Sequence, residues 1–229
     1  MSPPRFRFVC ATRKSYDEFF QSSPLGRSLS IYRAPFAELT LFDTNTTGLP
    51  ARYNEALRDA ASDPAILVFV HDDVHLCDFF WHVHILEGLQ RYDIIGVAGN
   101  RRRVPRQPAW CYLDESLLTD SVDNLSGMVA HGDGFPPKNL SSYGPSGQQV
   151  KLLDGVLLAA RSQTLLKHKL SFDERFEFHF YDLDLCRQAE QKRLRMGTWP
   201  LALIHESYGQ FGSPAWRAGY QKYLDKWHS

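Results

Sequence analysis

The chain is poor in cysteine. Its four cysteines, Cys10, Cys77, Cys111 and Cys186, stand far apart and form no CxxC pair. That spacing argues against a zinc cluster and a dense disulfide framework, and implies reduced thiols in a cytoplasmic protein. A surplus of charge is also missing, since 26 Lys and Arg offset 26 Asp and Glu. Broad nucleic-acid binding needs an excess of cations to neutralise phosphates, so no nucleic-acid partner is expected. Only the short run Arg101-Arg102-Arg103 is left as a local anion site. Long apolar runs are absent too. The longest, AILVFV at 65–70, falls far short of the roughly 20 residues of a membrane span, so no transmembrane segment is expected. The opening MSPPRFRFVCATR lacks the apolar core of a secretion signal. The sequons at Asn45, Asn124 and Asn139 therefore carry no weight.

What is present suits one globular α/β domain over residues 1–229. Hydrophobic residues make up 43% of the chain and charged residues 23%, an ordinary balance. A chain of this length buries roughly three-quarters of its unfolded surface, so it needs neither disulfide nor metal to fold. RFRFVCATR reads as a buried first strand, and ELTLFD at 38–43 as a second. Pro50 opens a helix over ARYNEALRDAAS. AILVFV is apolar on both faces, as a central strand should be. A helix over 78–91 and the strand IIGVAG follow. This order predicts a doubly wound, mostly parallel central sheet with helices on both faces. Such sheets bind ligands at the carboxyl ends of their strands, and the end after Val70 carries His71, Asp72 and Asp73.

Between 100 and 150 the pattern breaks into Gly-, Pro- and Ser-rich loops with aromatics among them. VKLLDGVLLAAR then restores a buried strand. SQTLLKH is a short helix with Ser162 as its N-cap. FDERFEFHFYDLDLCRQAEQKR runs from an aromatic loop into a helix beginning near Asp182. MGTWPLALIHE is a further strand, and SPAWRAGYQKYLDKW a closing helix.

Four places are candidates for chemistry. Acidic groups at the end of a buried strand are unfavourable unless solvated, paired or metal-bound. HDDV is therefore a candidate for Mg²⁺ or Mn²⁺ bound by oxygen and imidazole, against a plain solvated strand end that caps a helix. Asp182 and Asp184 straddle a loop-to-helix junction. Capping explains them, and so does a general base that takes the proton of a bound hydroxyl. Asp154-Gly155 allows a ligand close to the backbone, or is a simple turn. His205 gains meaning only if the fold brings it near Asp73.

Taken in order, these elements resemble the family-two, inverting GT-A glycosyltransferases over most of the chain. The matches are Asn54 in ARYNEAL, VFVHDDV, LLDGVLLAAR, FDERFEFHFYDLDLCRQAEQKR and PLALIHE. The phrase from FDE to DLDLC is the most specific, and the His-containing acidic motif is closest to a subgroup of small bacterial-type glycosyltransferase-like proteins. The resemblance implies a GT-A fold, a nucleotide-sugar donor, and a glycan, lipid-linked or other hydroxyl acceptor. It also implies a divalent cation, Mn²⁺ or Mg²⁺, on Asp73 with His71 and His205. Asp182 matches the base, with Asp184 behind it. Thr12, Arg13, Asn54, Asp72, Asp154 and Gly155 border the nucleotide sugar. Residues 1–100 form the nucleotide-binding half and 101–229 the acceptor-binding and catalytic half, with Trp110 and Tyr112 on the acceptor side. The sequence departs from the family pattern twice: His71 replaces the first carboxylate of the metal motif, and Tyr181 replaces the first residue of a Glu-Asp pair. A non-catalytic sugar- or nucleotide-binding relative and a metal-dependent hydrolase of nucleotide sugars remain as alternatives. A nucleotidyltransferase is disfavoured, because VCATRKSYDEF has no glycine for a phosphate loop.

Overall fold

The computed structural model describes residues 4–207 and 209–228. The first half runs β1 (Phe6–Ala11), α1 (Tyr16–Ser22), α2 (Pro24–Ile31), β2 (Ala37–Phe42), α3 (Leu49–Asp59), β3 (Ile66–Val70), β4 (Val74–Leu76), α4 (Trp81–Arg91), β5 (Ile94–Gly96) and β6 (Ala98–Asn100). The second half runs β7 (Leu125–His131), β8 (Asn139–Gly144), β9 (Gln149–Val150), β10 (Leu152–Leu153), β11 (Leu157–Arg161), α5 (Ser162–Lys167), α6 (Tyr181–Gln191), β12 (Met196–Thr198), β13 (Leu203–His205) and α7 (Pro214–Trp227). Among the described residues no helix is long and apolar enough to cross a membrane.

Helices α1 and α2 fill a stretch in which the sequence shows no clear period. Both begin on local chemistry. Ser15 and Glu18 form a reciprocal capping box at α1, and the Ser23 hydroxyl accepts the Gly26 N–H at 3.0 Å at α2, where Pro24 takes the first position. Ser162 does not cap α5. It is the first residue of that helix, and its hydroxyl accepts the Ala65 N–H at 3.1 Å, tying α5 to the start of β3.

Seven strands form the main sheet in the order β2-β1-β3-β11-β5-β12-β9. The pairs β1–β2, β1–β3 and β5–β12 are parallel, as a doubly wound sheet requires. β11 enters antiparallel between β3 and β5, which makes the sheet mixed. A second sheet has the order β10-β6-β7-β13-β4, with β8 paired to β7. Its β7–β8 hairpin lies inside the stretch that the sequence presents as loops. β8 reads NLSSYG and has no buried residue, so it carries no hydrophobic alternation.

α3 packs against β1, while α4 packs against β5, β11 and β12. The core is rich in edge-on aromatic pairs. Trp81 meets Phe6 and Phe8 at 4.9 and 5.0 Å between centroids. Tyr53, Phe69 and Phe172 pack mutually at 4.8 to 5.1 Å, and Tyr181 joins Tyr53 at 5.8 Å. That second cluster anchors the start of α6 beneath the end of β3.

Candidate active site

Two strand pairings assemble a cluster at the carboxyl end of β3. β11 runs antiparallel to β3 with Leu157 opposite Val70, so Asp154 and Gly155 arrive beside His71. There the His71 N–H donates to the Val156 carbonyl at 3.3 Å. β13 runs antiparallel to β4 with His205 opposite Val74, and the Glu206 N–H donates to the Asp73 carbonyl at 3.0 Å. His205 is thereby set against Asp73. β7 runs parallel to β13 and puts His131 opposite His205.

His71, Asp73 and His205 each offer one ligand atom within 4.8 Å of the others. Asp73 Oδ1 is buried, forms no well-aligned hydrogen bond among the described residues, and faces His205 Nε2 at 3.3 Å. A buried carboxylate oxygen left without a good donor, flanked by two imidazoles, is a donor set that fits a divalent cation. Burial would raise the Asp73 carboxyl, but His205 and His71 outweigh it and hold it down to about 2. Burial lowers His205 too, yet the Asp73 carboxylate prevails and raises it. His71 is lowered, by burial first and by His205 as a like charge, against the pull of Asp73. His131 is lowered by burial and by His205.

Across the cavity, α6 begins after Phe180, whose backbone is left-handed with φ 70°. Few bulky residues take that conformation. Here the Phe180 ring is held by Trp216 and Tyr220, with centroids 5.5 and 5.7 Å away. The turn sets Tyr181 and Asp182 at the helix start. Asp182 Oδ2 accepts the Gly155 N–H at 3.0 Å and Oδ1 accepts the Leu183 N–H at 2.9 Å. A helix N-terminus by itself favours ionisation of a carboxyl such as Asp182. Burial, and then the Asp154 carboxylate, outweigh it and push the group up to about 7. A carboxylate tuned to that range can take up a proton near neutrality.

A cavity of about 470 Å³ joins these groups. Trp110, Tyr112, Phe178 and Trp216 form its aromatic walls. Asp154 and Gly155 line it as well, whereas Thr12, Arg13, Asn54 and Asp72 do not. Asn54 does not border the cavity. Its amide donates to the Phe172 carbonyl at 2.8 Å and to Glu174 at 3.0 Å, and its oxygen accepts the Phe172 N–H at 2.9 Å. It thereby clamps α3 to the segment before α6. Thr12 is buried and donates to Asp72 Oδ2 at 2.5 Å, while Arg13 is exposed. At Gly155 a Cβ would stand 2.8 Å from Tyr181 Cζ, so the bare backbone there leaves room for that ring. Asp184 turns away from the cavity into a buried network with α7. The basic run is likewise engaged: Arg102 pairs with Asp120 at 2.6 Å, Arg103 with Glu190 at 3.2 Å, and Arg101 donates to the Asp123 carbonyl. His131 and Phe178 were not anticipated. The register of β7 against β13 alone brings His131 in, and no local motif marks it.

Residues 38–207 match the model of a family described as a glycosyltransferase-like family. No curated protein matches the sequence. The fold is similar to that of GalNAc-T7, solved with UDP, GalNAc and Mn²⁺, with a TM-score of 0.53 at 9% identity, covering 98% of this chain and 48% of that one. Residues 1–349 of S. aureus TarS give 0.47 at 12% identity, covering 88% of this chain and 60% of that one. A197 from STIV gives 0.49 at 12% identity, covering 90% and 95%. The chain thus spans about half of GalNAc-T7.

Proposed function

This chain belongs to the glycosyltransferase-like family and has a GT-A fold, and from that premise we propose that it transfers a sugar from a nucleotide-sugar donor to an acceptor hydroxyl, with inversion. The observation that carries the reading is the meeting of Asp182 with the His71–Asp73–His205 cluster in one cavity. Asp182 takes the proton from the acceptor hydroxyl as that oxygen attacks the sugar carbon. The aromatic walls position the acceptor, which supplies much of the rate by orientation. Asp73, His71 and His205 would hold a divalent cation, Mn²⁺ or Mg²⁺. When bound, such a cation would supply positive charge to offset that of a leaving diphosphate. Residues 1–100 contribute the donor half of the site and 101–229 the acceptor half.

The deciding experiment follows donor breakdown with and without candidate acceptors. Acceleration by an acceptor, with the sugar recovered on it, marks a transferase. Breakdown to free sugar at an unchanged rate marks a hydrolase. The donor base emerges from a thermal-shift screen of UDP, GDP, CDP and dTDP with Mn²⁺, because a ligand that binds only the folded state raises its stability by mass action.

Two further outcomes are expected. Nucleoside diphosphate binding, followed by calorimetry, should be strong with Mn²⁺ and weak in EDTA. Equal affinity in both would remove the cation from the reaction. Asp73→Ala should weaken cation-dependent nucleotide binding at least roughly tenfold, since a ligand matters no less than the outer partners whose loss has that effect. Its circular dichroism should be unchanged, because Asp73 sits beyond the end of β3 and contributes little to the core. An Asp73→Ala protein that binds the Mn²⁺–nucleotide complex normally rules Asp73 out as a ligand.

A further inference from the structure

The two places where the sequence departs from the family pattern, His71 and Tyr181, touch each other. Tyr181 is buried and lines the cavity. His71 Nε2 lies 2.9 Å from its phenol oxygen, and that phenol donates to the Gly155 carbonyl at 2.8 Å. A carbonyl oxygen only accepts, and a phenol has a single proton to give. Both contacts are hydrogen bonds in one way alone: the phenol gives its proton to Gly155 and receives one from His71. His71 Nε2 therefore carries hydrogen. In a neutral imidazole the remaining lone pair is then on Nδ1.

The surroundings fix this arrangement. The Tyr181 ring is braced by Tyr53 and Phe172, with centroids 5.8 and 6.0 Å away. The His71 ring stacks on Phe178 at 5.7 Å and 29°. The absence of a side chain at Gly155 leaves room for the phenol to reach its carbonyl.

We propose that Tyr181 is a positioning residue, which locks His71 as its Nε2–H tautomer and leaves Nδ1 as the atom His71 offers to a divalent cation beside Asp73 and His205. The inference rests on the cation reading given above. Metal-binding histidines commonly tie their second nitrogen to a carboxylate, a carbonyl or water, which fixes the tautomer and ring orientation. Here a phenol makes that contact and passes it on to a carbonyl.

Two measurements test it. In the metal-free protein, at a pH where the ring is neutral, long-range ¹H–¹⁵N NMR should show His71 protonated on Nε2 and bare on Nδ1. The signal is assigned by its loss in His71→Gln. In Tyr181→Phe, which keeps the ring and removes only the hydroxyl, the same signal should become a mixture of tautomers. Mn²⁺ binding to Tyr181→Phe, followed by electron paramagnetic resonance, should weaken roughly 10- to 100-fold, as for other lost outer partners. Wild-type His71 protonated on Nδ1 overturns the proposal, and so does a folded Tyr181→Phe that binds Mn²⁺ as tightly as wild type. The wild-type tautomer needs no variant, so it decides even if Tyr181→Phe fails to fold. Wild-type protein that binds no Mn²⁺ overturns the cation role of His71 together with the reading beneath it. The tautomer result, obtained without metal, separates that failure from a failure of the Tyr181 contact.

Discussion

Asp182→Asn is expected to slow sugar transfer about 10²-fold or more, the range seen when a general base is removed. Nucleotide affinity should be nearly unchanged. Asn keeps the shape of the side chain, and its oxygen can still accept the Gly155 N–H that Asp182 accepts at 3.0 Å. What it lacks is the ability to take up a proton. The pH dependence supplies a second signature. Burial, and then Asp154, push the Asp182 carboxyl up to about 7. Transfer by the wild type should rise with pH through that value as the carboxylate forms, and Asp182→Asn should lose the rising limb.

Stability moves in the opposite direction. The folded-state value lies above the unfolded carboxylate value of about 3.9, so the folded state holds this proton more tightly. The resulting stabilisation is complete below the unfolded value and is lost as pH rises through about 7. Asn has no such proton, so the wild type should lose stability relative to Asp182→Asn across that window. Steady-state kinetics and denaturant unfolding at matched pH values measure both effects. Near-normal turnover in Asp182→Asn, with the rising limb intact, would place the base elsewhere.

Asp184→Ala is expected to act on the fold instead, with a loss of about 3 kcal/mol or more, as when one partner of a buried pair is removed. Asp184 is fully buried. Its Oδ1 accepts the Trp227 indole N–H at 2.9 Å and pairs with Lys226 at 2.6 Å, while Oδ2 accepts the Gln188 amide at 2.7 Å. Truncation leaves the indole and the amide without this acceptor. Lys226 retains Asp173 at 2.8 Å, which limits the damage. Trp227 and Lys226 belong to the last turn of α7, so that helix should become the first site of proteolysis. Denaturant unfolding reads the loss, and turnover per folded molecule should stay within a few-fold of wild type. A dead enzyme of normal stability would move the base to Asp184.

Asp182 and Asp184 mark the boundary between what the sequence tells and what it does not. The phrase FDERFEFHFYDLDLC places both at the start of a helix. Two residues apart on an α-helix are about 200° apart around its axis, so one of them faces the cavity and the other does not. Which is which depends on how α6 is rotated. That rotation is set by the left-handed turn at Phe180 and by the packing of Tyr181 on Tyr53 and Phe172, none of which a sequence pattern expresses.

The sequence by itself marked β1, β2, α3, β3, α4, α6 and α7, but not α1, α2 or the β7–β8 hairpin. Residues 66–70 are apolar on both faces, and all five are buried as a central strand. It also determined that an acidic motif ends that strand, because a buried strand must expose its polar groups at its end. The tertiary structure alone decided what joins that motif. Residues far along the chain, His131 and His205 among them, arrive through strand register, which local periodicity does not encode. It also decided that Asn54 clamps two segments instead of facing the cavity, and that Tyr181 reaches His71. The physical reason is the same in each case. Side-chain chemistry is written residue by residue, whereas the partner of a buried polar group is fixed only when distant strands and helices pack.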